Sequence, residues 1–169
     1  MVGSIELVFD RDTEAAIRNV WAALAAAGIP SQAPASRPHV TLAVAEGIAA
    51  DVDELLSPLT ERLPLRCLIG APVLFGRASA VFARLVVPTG ELLALHAEVH
   101  RVCGPHLSPG PMPNSLPGQW TAHVTMARRV AGGQLGRALR IAGRPAQIDG
   151  SFAGLRRWDG SKKLEHPVT

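Results

Sequence analysis

The hydrophobic and polar positions of this chain change period in a regular order. Ser4–Phe9 alternates and is rich in β-forming residues, which predicts a half-buried strand. From Glu14 to Ala27 the apolar residues Ile17, Val20, Trp21, Leu24 and Ala25 recur at helical spacing, after cap residues in Asp10–Thr13 and before Gly28. A Pro/Ser-rich loop, Ile29–Pro38, leads to a strand beginning His39-Val40-Thr41. A helix over Ala50–Leu63 follows, with Asp51, Asp53 and Glu54 favouring its N-terminal dipole. Leu65–Ile69 and Val73–Phe75 read as short strands interrupted at Gly70 and Pro72.

The same order then recurs. Ala80–Val87 reads as a strand, Thr89 caps a helix reaching about Val102, and Gly104 ends it. A Pro/Gly loop, Pro105–Gly118, leads to a strand over Gln119–Val130 that contains His123-Val124-Thr125. Gln134–Ala142 is a short helix, and Ala146–Ser151 with Phe152–Trp158 read as closing strands. The interval from His39 to Pro64 is 25 residues, and that from His123 to Pro145 is 22. Repetition of a whole supersecondary unit implies two similar lobes about a pseudo-two-fold axis in one bilobal domain spanning 1–169. The repeats run roughly 1–78 and 79–160, and 161–169 reads as a tail.

The repeat carries chemistry because of its two His-Val-Thr segments. Side chains at i and i+2 leave the same face of a strand. His39 with Thr41, and His123 with Thr125, therefore each present an imidazole and a hydroxyl together, while Val40, Leu42, Val124 and Met126 point the other way. Two imidazoles facing across a cleft can act as general base and general acid. Two hydroxyls beside them can donate to an anion. Strand parity also puts Arg129 on the face of His123. His106, in the second long loop, is a further candidate for substrate contact, and Arg156, Arg157, Lys162 and Lys163 form either a basic rim or solvated charge. Trp120 shares parity with Ala122 and Val124 and is expected in the core. His166 falls in the tail.

Composition narrows the class. At 169 residues and 47% hydrophobic, the chain can bury a sizeable core. It has no apolar run long enough for a membrane helix and no basic leader ahead of an apolar stretch, so a cytoplasmic protein without membrane association is expected. Cys67 and Cys103 lack metal or redox spacing and read as reduced core residues. The net charge is +3, with residues 1–85 at −2 (7 basic, 9 acidic) and 86–169 at +5 (10 basic, 5 acidic). Such a modest basic bias suits a phosphate-bearing ligand and is too weak for broad duplex binding. Aromatic residues, at 4%, are too few for the base-stacking platform of a single-strand binder. His96 and His100 stand at chelating i,i+4 spacing, but no third ligand accompanies them in sequence, so no metal site and no cofactor are expected.

Paired HxTx motifs about 80 residues apart, each after a strand, helix and loop, resemble those of the two-histidine (2H) phosphoesterases, and within them the 2′-5′ RNA ligase-like and RNA 2′,3′-cyclic phosphodiesterase proteins. The resemblance covers nearly the whole chain. It implies an α+β fold in which antiparallel sheets line a central cleft and helices lie outside. It also implies His39, Thr41, His123 and Thr125 as catalytic residues, and it favours Arg128 over Arg129 for phosphate contact. The implied activity is metal-independent hydrolysis of 2′,3′-cyclic phosphodiesters at RNA ends or on nucleotides, with reversible 2′-5′ RNA ligation as a further activity. The expected partner is an RNA end or small nucleotide with a cyclic or 2′-linked phosphate, bound by a monomer. A binding module using the same cleft without turnover is the competing expectation, and a purely structural repeat is a third.

Overall fold

The computed structural model describes residues 2–32, 35–76 and 79–169. The described residues form nine strands and four α-helices; the helices and both motif strands follow the predicted order, while the short strands Gly47–Ile48 and Leu107–Ser108 were not expected. In chain order they are β1 (Gly3–Phe9), α1 (Arg11–Ala26), β2 (His39–Ala45), β3 (Gly47–Ile48), α2 (Val52–Leu56), β4 (Leu65–Phe75), β5 (Ala80–Val86), α3 (Gly90–Cys103), β6 (Leu107–Ser108), β7 (His123–Val130), α4 (Leu135–Ala142), β8 (Ile148–Asp159) and β9 (Leu164–Pro167). The class is α+β, built on one large antiparallel sheet.

Along the sheet the strands run β2-β1-β8-β4-β5-β7, with β9 added beside β8. This order is unchanged when β1 is exchanged for β5, β2 for β7 and β4 for β8, which is the correspondence of the two sequence repeats. It also shows what the repeat conceals. β8, the last strand of the second repeat, pairs with β1 through Phe152–Trp158. β4, from the first repeat, pairs with β5 through Ile69–Phe75. The repeats thus exchange their final strands, and β4 and β8 join the lobes through the Leu65–Ile69 and Ile148–Phe152 ladder.

Several boundaries differ from the sequence reading. The interruption expected at Gly70 and Pro72 is a register shift within one continuous β4. Proline lacks an N–H, and a bulge lets the strand pass it without a broken ladder. The two closing strands are likewise one strand, β8. The helix expected over 50–63 is α2 followed by a 3₁₀ segment, Ser57–Arg62, with Pro58 where an i→i−4 bond would be lost. Residues 161–169, expected as a tail, form a turn and β9, which places His166 opposite Arg157.

The helices follow their caps. Asp10 accepts from the Thr13 N–H at 2.8 Å to start α1, and Thr89 accepts from the Leu92 N–H at 3.2 Å to start α3. Gly28, at φ +71°, takes the left-handed conformation that ends the first helix. α1 buries Ile17, Val20, Trp21 and Leu24; α3 buries Leu92, Leu95, His96, Val99 and Cys103. Their apolar faces merge with those of the strands into one core. Cys67 and Cys103 are free and buried, and burial pushes each thiol up to about 12. No helix among the described residues is long and apolar enough to cross a membrane.

Candidate active site

The two motif strands end the sheet, and each has its outer edge covered by the opposite repeat. Along β7, Ser31 forms a bridge with Ala127, and the Arg128 N–H donates to the Pro30 carbonyl at 3.0 Å. Along β2, the Met112 N–H donates to the Val44 carbonyl at 2.8 Å. The threonine carbonyls are held the same way. Trp21 of α1 donates its indole N–H to Thr125 at 3.0 Å, and Trp120 donates to Thr41 at 2.9 Å. An edge strand left bare is prone to pair elsewhere. Here the edges are instead used to bring β2 and β7 against each other. Trp120 is only partly buried, because its N–H serves Thr41 while its ring stacks on His96 at 3.9 Å.

Val40, Leu42, Val124 and Met126 are buried, and His39, Thr41, His123 and Thr125 are half-exposed on the other face, as parity requires. Each motif histidine is oriented alike. His39 Nδ1 donates to the Arg37 carbonyl at 2.8 Å, and His123 Nδ1 donates to the Thr121 carbonyl at 2.7 Å. A carbonyl can only accept, so the proton sits on Nδ1 and the reactive nitrogen of both rings is Nε2. Burial, then the charges of His39 and Arg128, hold His123 below the ordinary histidine range, against the Thr121 bond that raises it. His123 also packs on the Phe75 ring at 4.7 Å.

His39 has different company. Glu6 of β1, opposite Thr41, places Oε1 3.5 Å from His39 Nε2. Glu6 is 3% exposed and accepts from the Ser4 hydroxyl at 2.5 Å and from Arg156 Nε at 2.7 Å. Arg156 also pairs with Glu165 and brings Nη2 to 3.4 Å from His39 Nδ1. Trp158 lies beneath the same guanidinium at 5.7 Å. Glu6 was missed from the sequence, and Arg156 was weighed only as a rim or solvated charge. The signal was there, because alternation in SIELVF puts Ser4 and Glu6 on one face, but that face reads as solvent-facing without its neighbours.

The remaining candidates divide. Arg128 and Arg129 are both exposed at the end of β7. Register shifts near Phe82 and a positive φ of 55° at Arg129 interrupt the alternation that would align Arg129 with His123. Arg128 is the one whose charge is felt at His123. His106 is not brought to the motif pair: Nδ1 meets Asp51 at 2.8 Å and its carbonyl accepts from Ala49. Arg157 is buried against Asp53 of α2 at 2.6 Å, on the face opposite Arg156, so neither arginine is a rim. Lys162 and Lys163 are exposed turn residues.

His96 and His100 do not present a chelating pair. His96 Nε2–H is shared between the Leu42 and Ser115 carbonyls at 3.1 and 2.8 Å, and His100 Nε2–H also reaches Leu42, at 3.0 Å. Both rings donate to the Leu42 carbonyl and so tie α3 to β2. Burial, with His100 beside it, pushes His96 down to about 4. The folded form therefore disfavours a proton that the unfolded chain accepts below about pH 6.5. The stabilising contribution is complete above that pH and is lost as pH falls toward 4, to a total of about 3 kcal/mol. Urea unfolding across this window should show wild type losing more stability than His96→Phe. Parallel pH dependence in the two proteins would refute the assignment. At neutral pH, Trp120→Phe should cost ~1 kcal/mol in the same assay, because the ring remains on His96 but the Thr41 carbonyl loses its donor.

A sheet of this topology with an opposed pair of HxT strands defines a two-histidine phosphoesterase. The profile of the 2′-5′ RNA ligase superfamily matches residues 11–159, and the chain belongs to that family, whose members act on phosphodiester bonds. No curated protein matches the sequence. Solved structures agree in fold. TT0787 of Thermus thermophilus superposes with a TM-score of 0.61 at 16% identity, over 100% of this chain and 96% of that one. LigT of E. coli gives 0.59 at 14%, over 99% and 94%, and has also been solved with 3′-AMP. Usb1 of Kluyveromyces marxianus, solved with uridine monophosphate, gives 0.54 at 11%, over 99% and 97%.

Proposed function

We propose that this protein hydrolyses 2′,3′-cyclic phosphodiesters of RNA ends or nucleotides without a metal, using His39 and His123 as the acid/base pair. The observation that carries the reading is the matched orientation of the two rings. Each Nδ1 is held by the carbonyl two residues earlier, which leaves two Nε2 atoms on facing strands. One Nε2 takes a proton from water as the water oxygen bonds to phosphorus. The other gives its proton to the departing ribose oxygen as the ring P–O bond breaks. Thr41 and Thr125 donate hydrogen bonds to the non-bridging oxygens, and Arg128 supplies charge at the rim. With a 5′-hydroxyl in place of water, the same proton transfers form a 2′-5′ phosphodiester as the ring P–O bond to the 3′-oxygen breaks, so reversible 2′-5′ ligation belongs to the same proposal. Nucleotides bound to LigT and Usb1 favour a nucleotide ligand. Turnover of nucleoside 2′,3′-cyclic phosphates in EDTA tests the reading. Tight nucleotide binding with no product would favour the alternative, a recognition module. We further propose a monomer that works in the cytoplasm.

A further inference from the structure

The two motif histidines match in backbone setting and differ in their neighbours. At His123 the neighbour is the Phe75 ring. At His39 it is a carboxylate, Glu6 Oε1, 3.5 Å away. His39 Nδ1 already donates to Arg37, so a neutral His39 would turn an unprotonated Nε2 toward Glu6, acceptor against acceptor. A proton on Nε2 converts that contact into an attractive one. Glu6 is itself held in place: Ser4 donates to Oε1, and Arg156 Nε donates to Oε2 at 2.7 Å.

We infer that Glu6 is a positioning residue that keeps a proton on Nε2 of His39, making His39 the general acid of the proposed hydrolysis and leaving His123 as the base. This rests on the function proposed above and adds the direction of proton flow. His123 Nε2 takes the water proton, the oxygen bonds to phosphorus, and the ribose oxygen leaves with the proton from His39 Nε2. Glu6 then faces a neutral His39, which recovers a proton from solvent for the next cycle.

Other charges around His39 fit the assignment. Arg156 approaches Nδ1 at 3.4 Å but is already shared between Glu6 and Glu165. The Arg37 guanidinium is turned to Glu14 at 3.1 Å. His123 is the remaining titratable neighbour, and its lowered affinity for protons makes it the neutral partner. The carboxylate lies against Nε2 itself, whereas the guanidinium faces Nδ1, whose proton is already given to the Arg37 carbonyl.

The test joins two measurements, ¹⁵N NMR of the histidine side chains without nucleotide and kcat/KM for cyclic 2′,3′-AMP against pH, in wild type and Glu6→Gln. In wild type at about pH 6.5, His39 should be imidazolium and His123 neutral. In Glu6→Gln, His39 should give up its proton at lower pH than in wild type. Its kcat/KM should be down roughly tenfold at the alkaline end and little changed at the acidic end. A neutral His39 beside a charged His123 in wild type would overturn the inference whether or not the variant folds. So would an equal loss at every pH in Glu6→Gln, the mark of a merely structural role. If wild type turns over no cyclic phosphate, the proposed function fails, while the NMR arm still reads which imidazole Glu6 serves.

Discussion

His39→Ala and His123→Ala should each lower turnover of a 2′,3′-cyclic phosphate by roughly 10³-fold or more, with KM much less affected. Each proton transfer contributes roughly 10²–10⁴ in rate. The two losses should combine to less than their product, because the acid has no function once the base is gone. Neither side chain is a core residue: both are half-exposed, each ring bonds a local carbonyl, and Glu6 beside His39 keeps its bonds to Ser4 and Arg156 when His39 is removed. Stability should therefore hold within about 1 kcal/mol, so that lost rate reads as lost chemistry. Steady-state kinetics beside urea unfolding checks both halves of this prediction. Wild-type rates in both variants would remove the two-histidine mechanism.

Arg84→Met should be among the most destabilising single changes in the chain, at about 3–5 kcal/mol. Arg84 lies on β5 between Phe82 and Val86, on the core side, and is fully buried. Every contact it makes is to a carbonyl: Nε donates to Gly70 at 2.5 Å, Nη1 to Ala142 at 3.1 Å, and Nη2 to Ile69 and Ala146 at 3.3 and 2.7 Å. It thereby ties β4, the end of α4 and the entry to β8 to a single guanidinium. Burial alone pulls its proton affinity below the ordinary arginine value. Methionine fills similar volume but donates nothing, and each buried acceptor left unpaired costs about 1–3 kcal/mol before relaxation. Against a typical total of about 5–15 kcal/mol, the variant would be marginal. A urea midpoint close to wild type with an unchanged slope would show that these carbonyls find other donors.

How much of this was legible beforehand follows from the range of each interaction. Local rules placed α1 and α3 well, because Asp10, Thr89, Gly28 and the apolar stripes act within a few residues. The motif face was legible because period two is local as well. The exchange of β4 and β8 between repeats was not, since nothing in either strand names its partner. Arg129 shows where parity fails, because two register shifts intervene before it. Glu6 and Arg156 are 150 residues apart and meet across adjacent strands. Each alone resembles a solvated charge, and only the pairing reveals a buried ion pair beneath His39. His96 and His100 had the spacing of metal ligands, and tertiary packing assigned them to the Leu42 carbonyl instead.

The exchanged strands and crossed edge contacts also bear on function. Trp21 and Trp120 each hold the threonine carbonyl of the other repeat's motif. Neither half therefore presents its His-Thr pair without the other, and the two motif strands are held by the same contacts that close the sheet edges. A site whose catalytic groups must sit within a fraction of an ångström gains from support of this kind.

The most direct measurement is ³¹P NMR of the wild-type protein with cyclic 2′,3′-AMP in the presence of EDTA. The account predicts that the strained cyclic phosphodiester resonance is replaced by that of a single phosphomonoester regioisomer, at a rate proportional to enzyme and abolished by either histidine substitution. A cyclic resonance that persists unchanged while the nucleotide is bound would contradict it.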